Sequence, residues 1–390
     1  MTQQHTATTA VRQGIETDLQ HRAVVPPIYL SSNYSFADPQ TPGAFDYSRS
    51  ANPTREQLAI ALAEMESGHS GVITASGMAA VHLAVSVLSA EELLLVPHDC
   101  YGGSLRLFQH LARKGQFRLQ VVDMTDTEAL TQALAASPGL IWLETPSNPL
   151  LRIVDIAAIC QQAKQQGCRV AVDNTFLTPV LQQPLLLGAD MVIHSTTKYI
   201  NGHSDVIGGA VIAKTPELSE ELLWNANTLG LSGGALDAYL TLRGLRTLSL
   251  RMSQHQHNAS LIVAALQAHP AVSHIYYPGL VQHPGHGIAQ RQQRGFGGMI
   301  SFELQGGAAS TGRFVAALKL FSLAESLGGV ESLVAVPASM THRAMTPEQR
   351  RCAGISDGLI RLSVGIEHSD DLLADIQQAL TAVTQGDDAS

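Results

Sequence analysis

The sequence predicts an α/β fold with a mostly parallel central sheet, a smaller C-terminal α/β domain and an extended N-terminal arm. Three observations predict it. From about residue 56 to residue 213, short apolar runs alternate with helix-length segments. Strands that are apolar throughout are buried on both faces, as in parallel sheets covered by crossover helices. After Arg251 the pattern changes to sparser strands and longer helices. Before residue 60 the chain is broken by Pro26-Pro27, Pro39, Pro42-Gly43 and Asn52-Pro53, which favour extended or turn backbone.

In chain order, Gln57–Ser67 reads as a helix, Gly71–Thr74 as a short apolar strand and Gly77–Leu88 as an Ala/Val/Leu-rich helix. Leu93–Val96, Leu119–Asp123, Leu140–Glu144 and Arg169–Asp173 read as strands, separated by helices over Ser104–Lys114, Thr127–Ala136 and Ile156–Gln166. Met191–His194 and Ala210–Ala213 complete the predicted first sheet. Beyond it come helices Asn258–Ala268, Arg313–Leu318 and Asp370–Val383, with strands Met299–Leu304 and Leu359–Val364. The expected division is an arm over 1–60, a central domain over 61–250 and a C-terminal domain over 251–390. A long irregular arm is usually functional or grips a partner.

Composition narrows the function. The 390 residues are 45% hydrophobic and 15% charged, a globular balance. Lys plus Arg number 24 against 33 Asp plus Glu, a net charge of −9, so neither nucleic acid nor an anionic membrane is an expected partner. The segment Met1 to Arg22 is polar, and no apolar run approaches the roughly 18 residues of a membrane span. Cys100, Cys160, Cys168 and Cys352 form no Cys-x-x-Cys pair, which points to a reducing, cytoplasmic setting. The motifs His283-Pro284-Gly285-His286 and His255-Gln256-His257 lack the acidic or thiol partners of a zinc site, so no metal is expected. No Gly-x-Gly-x-x-Gly or Walker-type loop follows a strand.

In sheets of this kind ligands bind beyond the carboxyl ends of the strands. Four strand-end loops there carry reactive or anion-binding residues. Lys198 lies in Ser195-Thr196-Thr197-Lys198-Tyr199, directly after a strand. Such a Lys can form an imine with an aldehyde while neighbouring hydroxyls hold a phosphate. Asp173 ends another strand, where a carboxylate can keep a ring nitrogen protonated. Ser76-Gly77-Met78 opens a helix, a natural phosphate site, and Tyr101-Gly102-Gly103 offers a ring to stack on a planar group. Taken singly, these are an exposed Lys, a turn-forming Asp, a helix N-cap and a turn. Together they are the Lys and Asp that pyridoxal 5′-phosphate (PLP) requires, with a phosphate cradle and a stacking ring.

The run Asp190-Met191-Val192-Ile193-His194-Ser195-Thr196-Thr197-Lys198-Tyr199-Ile200-Asn201-Gly202-His203-Ser204 resembles the signature of the PLP-dependent Cys/Met metabolism enzymes. The likeness extends from Val25-Pro26-Pro27-Ile28 to Leu359-Ile360-Arg361-Leu362-Ser363. It is closest to the bacterial gamma-synthase branch, through stretches such as Glu144-Thr145-Pro146-Ser147-Asn148-Pro149 and Ala324-Glu325-Ser326-Leu327-Gly328-Gly329. The resemblance implies a fold-type-I PLP-dependent transferase, like aspartate aminotransferase. Its implied reaction is gamma-replacement, joining L-cysteine to an O-acylhomoserine to give L-cystathionine for methionine biosynthesis by transsulfuration. A gamma-lyase, an O-acylhomoserine sulfhydrylase and a non-catalytic PLP-binding regulator are the alternatives.

By the same resemblance Lys198 is the Schiff-base lysine and Tyr101 its catalytic assistant, with Asp173 opposite the ring nitrogen. Ser76, Gly77, Met78, Ser195 and Thr197 line the phosphate, joined by Tyr47 and Arg49 from a neighbouring subunit. Asn148, Arg361, Arg106, Glu325, Ser326 and Asp46 meet the amino-acid substrate. A homotetramer built as a dimer of dimers is implied. One position departs from the pattern. Ser50 stands where relatives using O-succinylhomoserine are expected to carry a second Arg, which weakens the case for the O-succinyl ester and keeps O-acetyl- and O-phosphohomoserine open. A guanidinium missing there removes about 1.5–3 kcal/mol of charge-assisted hydrogen bonding.

Overall fold

Among the described residues, twelve strands build two sheets. They are β1 (Ser70–Thr74), β2 (Leu93–Pro97), β3 (Arg118–Val122), β4 (Leu140–Glu144), β5 (Arg169–Asp173), β6 (Met191–His194), β7 (Gly209–Ala213), β8 (Val272–Tyr276), β9 (Met299–Leu304), β10 (Ser322–Leu323), β11 (Leu333–Ala335) and β12 (Leu359–Ser363). The structure is a computed structural model and describes residues 5–341, 343 and 346–387.

The first sheet has seven strands in the order β1-β7-β6-β5-β4-β2-β3. All pairs from β6 to β3 are parallel, and β7 runs antiparallel between β1 and β6. Burial on both faces explains the apolar runs. Ile141, Leu143, Val172 and Val192 pack into one core, and Leu140, Trp142, Ala171 and Ile193 into another on the opposite face. With a side-chain period of two, Glu144 and Asp173 therefore share the face of Trp142 and Ala171. The parallel strands bring the ends of β2, β4, β5 and β6 to one edge, where β7 begins.

The second sheet, β10-β11-β12-β9-β8, is antiparallel apart from the β10–β11 pair. Its core joins Phe302 and Ile360 to Phe314, Ile376 and Leu380. The helix Leu248–Gln267 contributes Leu248 and Met252 to the first sheet's core, and Ile262 and Leu266 to the second's.

Some elements differ from the sequence expectation for local reasons. The Asn52-Pro53 pair does not break structure but starts the helix Pro53–Glu66. The Asn52 side chain caps the amides of Thr54 and Arg55, and proline at the first helical position loses no internal bond. The arm also holds a short helix, Thr6–Arg12, whose Ala10 is buried. Sequence pattern marks nothing between Ala213 and Arg251, yet helices Pro216–Leu229 and Ala235–Leu245 lie there. The second has exposed Leu236 and a glycine, Gly244, on its buried side, which blurs its periodicity. The expected helix Arg313–Leu318 starts earlier, at Gly307, because two glycines at positive φ (Gly306, Gly307) hide its beginning. Cys100, Cys160 and Cys168 are free and buried, and the side chain of Cys352 lies outside the described residues. No helix among the described residues is long and apolar enough to cross a membrane.

Candidate active site

Lys198 sits in a tight turn just past the end of β6. The Ser195 amide donates to Thr175 Oγ1 at 2.9 Å, and the Gly202 amide closes the turn on the Lys198 carbonyl at 2.8 Å. From outside, the buried Arg251 guanidinium donates to the carbonyls of Tyr199 (2.6 Å), Ile200 (3.2 Å) and Gly244 (2.8 Å). Gly202 has a φ of +72°, and a Cβ there would stand 2.2 Å from Arg251 Nη1, so only glycine fits.

The Lys198 ammonium donates to Ser326 Oγ at 2.7 Å. Ser326 is a non-glycine residue at φ +82°, a costly conformation of the kind held at functional sites. Burial, with the nearby Arg361 charge adding to it, pushes the Lys198 amine down to about 8. An amine reacts with an aldehyde in its neutral form. Its reaction with PLP is therefore expected to speed up about tenfold per pH unit below pH ~8 and to level off there. Stopped-flow absorbance of cofactor-stripped enzyme mixed with PLP measures this. A rate still climbing steeply towards the pKa of an ordinary lysine contradicts it.

Asp173 ends β5, half-buried, with Oδ1 accepting the Thr175 amide at 3.0 Å. Glu144 ends the neighbouring β4 and is directly paired with Asp173 in the register. Its Oε2 accepts the Tyr101 amide at 2.7 Å, which fixes the start of the helix Gly102–Arg113. Burial, and then the Asp173 charge, hold the Glu144 carboxyl well above the usual carboxylate range. The Tyr101 ring is half exposed and folds over Gly103, where a Cβ would lie 2.4 Å from it.

Ser76 caps the helix Gly77–Val85 by accepting the Ala79 amide at 3.1 Å. The amides of Gly77 and Met78 find no acceptor among the described residues. A Cβ on Gly77 would come within 2.8 Å of Ser195, so glycine lets the β1 and β6 loops close around one point. Thr197 Oγ1 is tied to Gly208 at the start of β7, by bonds of 3.0 and 3.2 Å.

Arg361, in β12, is 2% exposed; its guanidinium donates to Asn148 Oδ1 at 2.9 Å and to the Ser326 carbonyl at 2.8 Å. Burial pushes it down to about 10, still fully charged near neutrality. Glu325 is exposed on the same loop, close enough to act electrostatically on both Lys198 and Arg361.

The structure thus brings together Lys198, Tyr101, Asp173, Ser76, Gly77, Met78, Ser195, Thr197, Asn148, Arg361, Glu325 and Ser326. It does not bring Tyr47, Arg49 or Asp46 to them within one chain. Arg49 donates to the Asn227 carbonyl at 3.0 Å, and Asp46 accepts the Tyr47 amide at 2.6 Å. Arg106 is exposed on the helix Gly102–Arg113, without a hydrogen-bond partner among the described residues. Sequence reasoning missed Glu144 and Arg251 as parts of the site. Glu144 carries the signal that marks Asp173, an acid closing an apolar strand. Arg251 has none, because its partners are main-chain carbonyls. His194 is bonded through Nε2 to Glu66 Oε1 at 2.7 Å, both fully buried, as a packing residue would be.

The sequence matches the family model of the Cys/Met metabolism PLP-dependent enzyme over residues 7–381. It is 55% identical to cystathionine gamma-synthase of Escherichia coli (strain K12), covering 97% of this chain and 99% of that protein. The crystal structure of cystathionine gamma synthase from Xanthomonas oryzae pv. oryzae in complex with cystathionine is 57% identical, with a TM-score of 0.97 over 98% of this chain and 99% of that one. Cystathionine beta-lyase of Lactococcus lactis subsp. cremoris is 46% identical, covering 96% of this chain and 98% of that protein.

Proposed function

The chain belongs to the Cys/Met metabolism PLP-dependent enzyme family, and from that premise we propose that it is a cystathionine gamma-synthase, joining L-cysteine to an O-acylhomoserine to give L-cystathionine. The observation that carries the chemistry is the meeting, at one sheet edge, of Lys198, Ser326 and Arg361 with the strand-end carboxylate Asp173. Identity of 55% and 57% to the Escherichia coli and Xanthomonas oryzae synthases, against 46% to the Lactococcus lactis lyase, supports the choice of reaction.

The residues fit PLP. Two free helix-terminal amides and the Ser195 hydroxyl suit a phosphate, Asp173 suits a protonated ring nitrogen, and Lys198 suits the aldehyde. When bound, PLP supplies that aldehyde and a ring that spreads negative charge from the α- and β-carbons. Arg361 binds the substrate α-carboxylate through a forked, charge-assisted pair, with Asn148 orienting the guanidinium. Lys198, poised near neutrality, takes the α-proton and then serves the β-carbon, so the γ-oxygen leaves with its acyl group. The cysteine sulfur takes its place, and the same amine returns the protons. Asp173 holds the ring nitrogen protonated throughout. Tyr101 stacks on the ring and assists proton transfer, and Glu325 receives the amino group of the incoming cysteine.

The arm supports a dimer as the smallest complete unit, because Tyr47, Arg49 and Asp46 do not reach their own chain's site. It also exposes Val24, Val25, Tyr29, Leu30 and Phe36. We assign the arm (1–60) to the neighbouring subunit's site, 61–250 to cofactor binding and 251–390 to the C-terminal domain. Two such dimers make the proposed tetramer. Three free, buried thiols accord with a cytoplasmic setting.

Purified enzyme given cysteine with O-succinyl- or O-acetylhomoserine is expected to form cystathionine with little keto acid. The faster ester names the acyl group, and Arg106 remains to meet a distal carboxylate in place of the Arg that Ser50 replaces. Release of cysteine and keto acid from cystathionine, with none formed from either ester, makes it a lyase.

A further inference from the structure

Two acids close neighbouring strands at the cofactor edge. Glu144 and Asp173 are register partners in parallel β4 and β5, so their backbones lie about 4.8 Å apart. Both side chains point to the face of Trp142 and Ala171, and Glu144 is 8% exposed. Neither makes an ion pair among the described residues. The groups around them are poor counter-charges. Glu144 faces the amides of Tyr101 and Asn148, the buried Cys100 thiol, and Asp99, whose charge is taken up by Arg152 at 3.2 Å and Ser147 at 2.6 Å. Asp173 faces the Thr175 amide and hydroxyl, with His194 across the sheet, itself bonded to Glu66.

A buried carboxyl beside a half-buried one on the same face is held from ionising near neutrality unless a cation sits by the pair. We propose that Glu144 is a positioning residue of the cofactor site: in the cofactor-free enzyme it keeps a proton beside Asp173, and it gives that proton up when a protonated ring nitrogen sits against Asp173. Burial holds Glu144 neutral first and the Asp173 charge adds to it; pairing Asp173 with a cation removes that second cause and lowers the Glu144 carboxyl. The ionised Glu144 then adds a second negative charge behind the ring nitrogen, while its bond to the Tyr101 amide grips the loop that carries the stacking ring. At Glu144 the step is a proton transfer alone: the carboxyl O–H bond breaks and the proton passes to solvent, separately from the reaction of Lys198 with the aldehyde, which both proteins share.

The inference rests on the PLP reading, and one experiment separates the two. Cofactor-stripped enzyme is titrated with PLP by calorimetry, in buffers of different ionisation heat, to count protons released per site as pH is varied. Wild type is expected to release up to about one proton more than Glu144→Gln, in a window above the usual carboxylate range. Its cofactor affinity then gains up to about tenfold per pH unit over the variant's across that window. The glutamine oxygen still accepts the Tyr101 amide, so a purely structural role shifts affinity equally at every pH. Equal proton counts in both proteins overturn the proposal. Glu144→Asp keeps the acid and is expected to keep the released proton; binding without it overturns the proposal even if the glutamine variant does not fold. Absence of any saturable PLP binding by wild type overturns the cofactor reading and this inference together.

Discussion

Lys198→Ala is expected to lose the visible absorbance of lysine-bound cofactor and to drop turnover by at least about 10⁴-fold. The Lys198 side chain is the one amine at the centre of the site, donating to Ser326 Oγ at 2.7 Å and poised near neutrality by burial and Arg361. No other lysine lies in the strand-end loops that build the site, so nothing substitutes for it. The protein should still fold, because the turn is held by the Arg251 guanidinium and the Gly202 amide bonding to its carbonyls rather than by the amine. A variant that turns over at the wild-type rate sinks the assignment. The same variant tests the arm. If Arg49 completes the neighbour's site, mixing Lys198→Ala with an inactive Arg49→Ala gives mixed dimers with one intact site. Random mixing then restores about a quarter of wild-type activity. No restoration places Arg49 outside the partner's site.

Arg361→Ala is expected to lower kcat/KM by two to three orders of magnitude, about 3–4 kcal/mol, mainly through KM. A buried guanidinium facing the site gives up a charge-assisted pair with the α-carboxylate when truncated, and leaves Asn148 Oδ1 and the Ser326 carbonyl without their donor. Cofactor absorbance should persist, since Lys198, Asp173 and the helix-terminal amides remain. That split, saturation lost and spectrum kept, separates Arg361 from Lys198. Unchanged saturation by the O-acylhomoserine would remove Arg361 from carboxylate binding.

Strands β4, β5 and β6 were legible because each is a short apolar run closed by a polar residue, Glu144, Asp173 and His194. That end residue is the functional one at β5, and the loop past β6 holds Lys198 within four residues of the strand. The same rule applied to β4 marks Glu144. The helix Ala235–Leu245 was not legible, because its exposed Leu236 and buried Gly244 break the simple apolar stripe. Nor was Arg251, whose partners are three carbonyls that any residue carries.

By itself the sequence determined the chemistry on offer: a lysine, an acid, a helix start with free amides and a stacking tyrosine, each set by a handful of neighbouring residues. Tertiary structure alone decided which of them meet. Lys198 and Ser326 are 128 residues apart, and Arg361 and Asn148 are 213 apart. Their meeting depends on the register of two sheets and on the helix Leu248–Gln267 that packs against both cores. Tertiary structure also keeps Tyr47 and Arg49 away from their own chain's lysine, because the arm bonds outward to Asn227. Local sequence sets backbone and side-chain chemistry, whereas contacts across such separations follow from strand order and packing, which no short window contains.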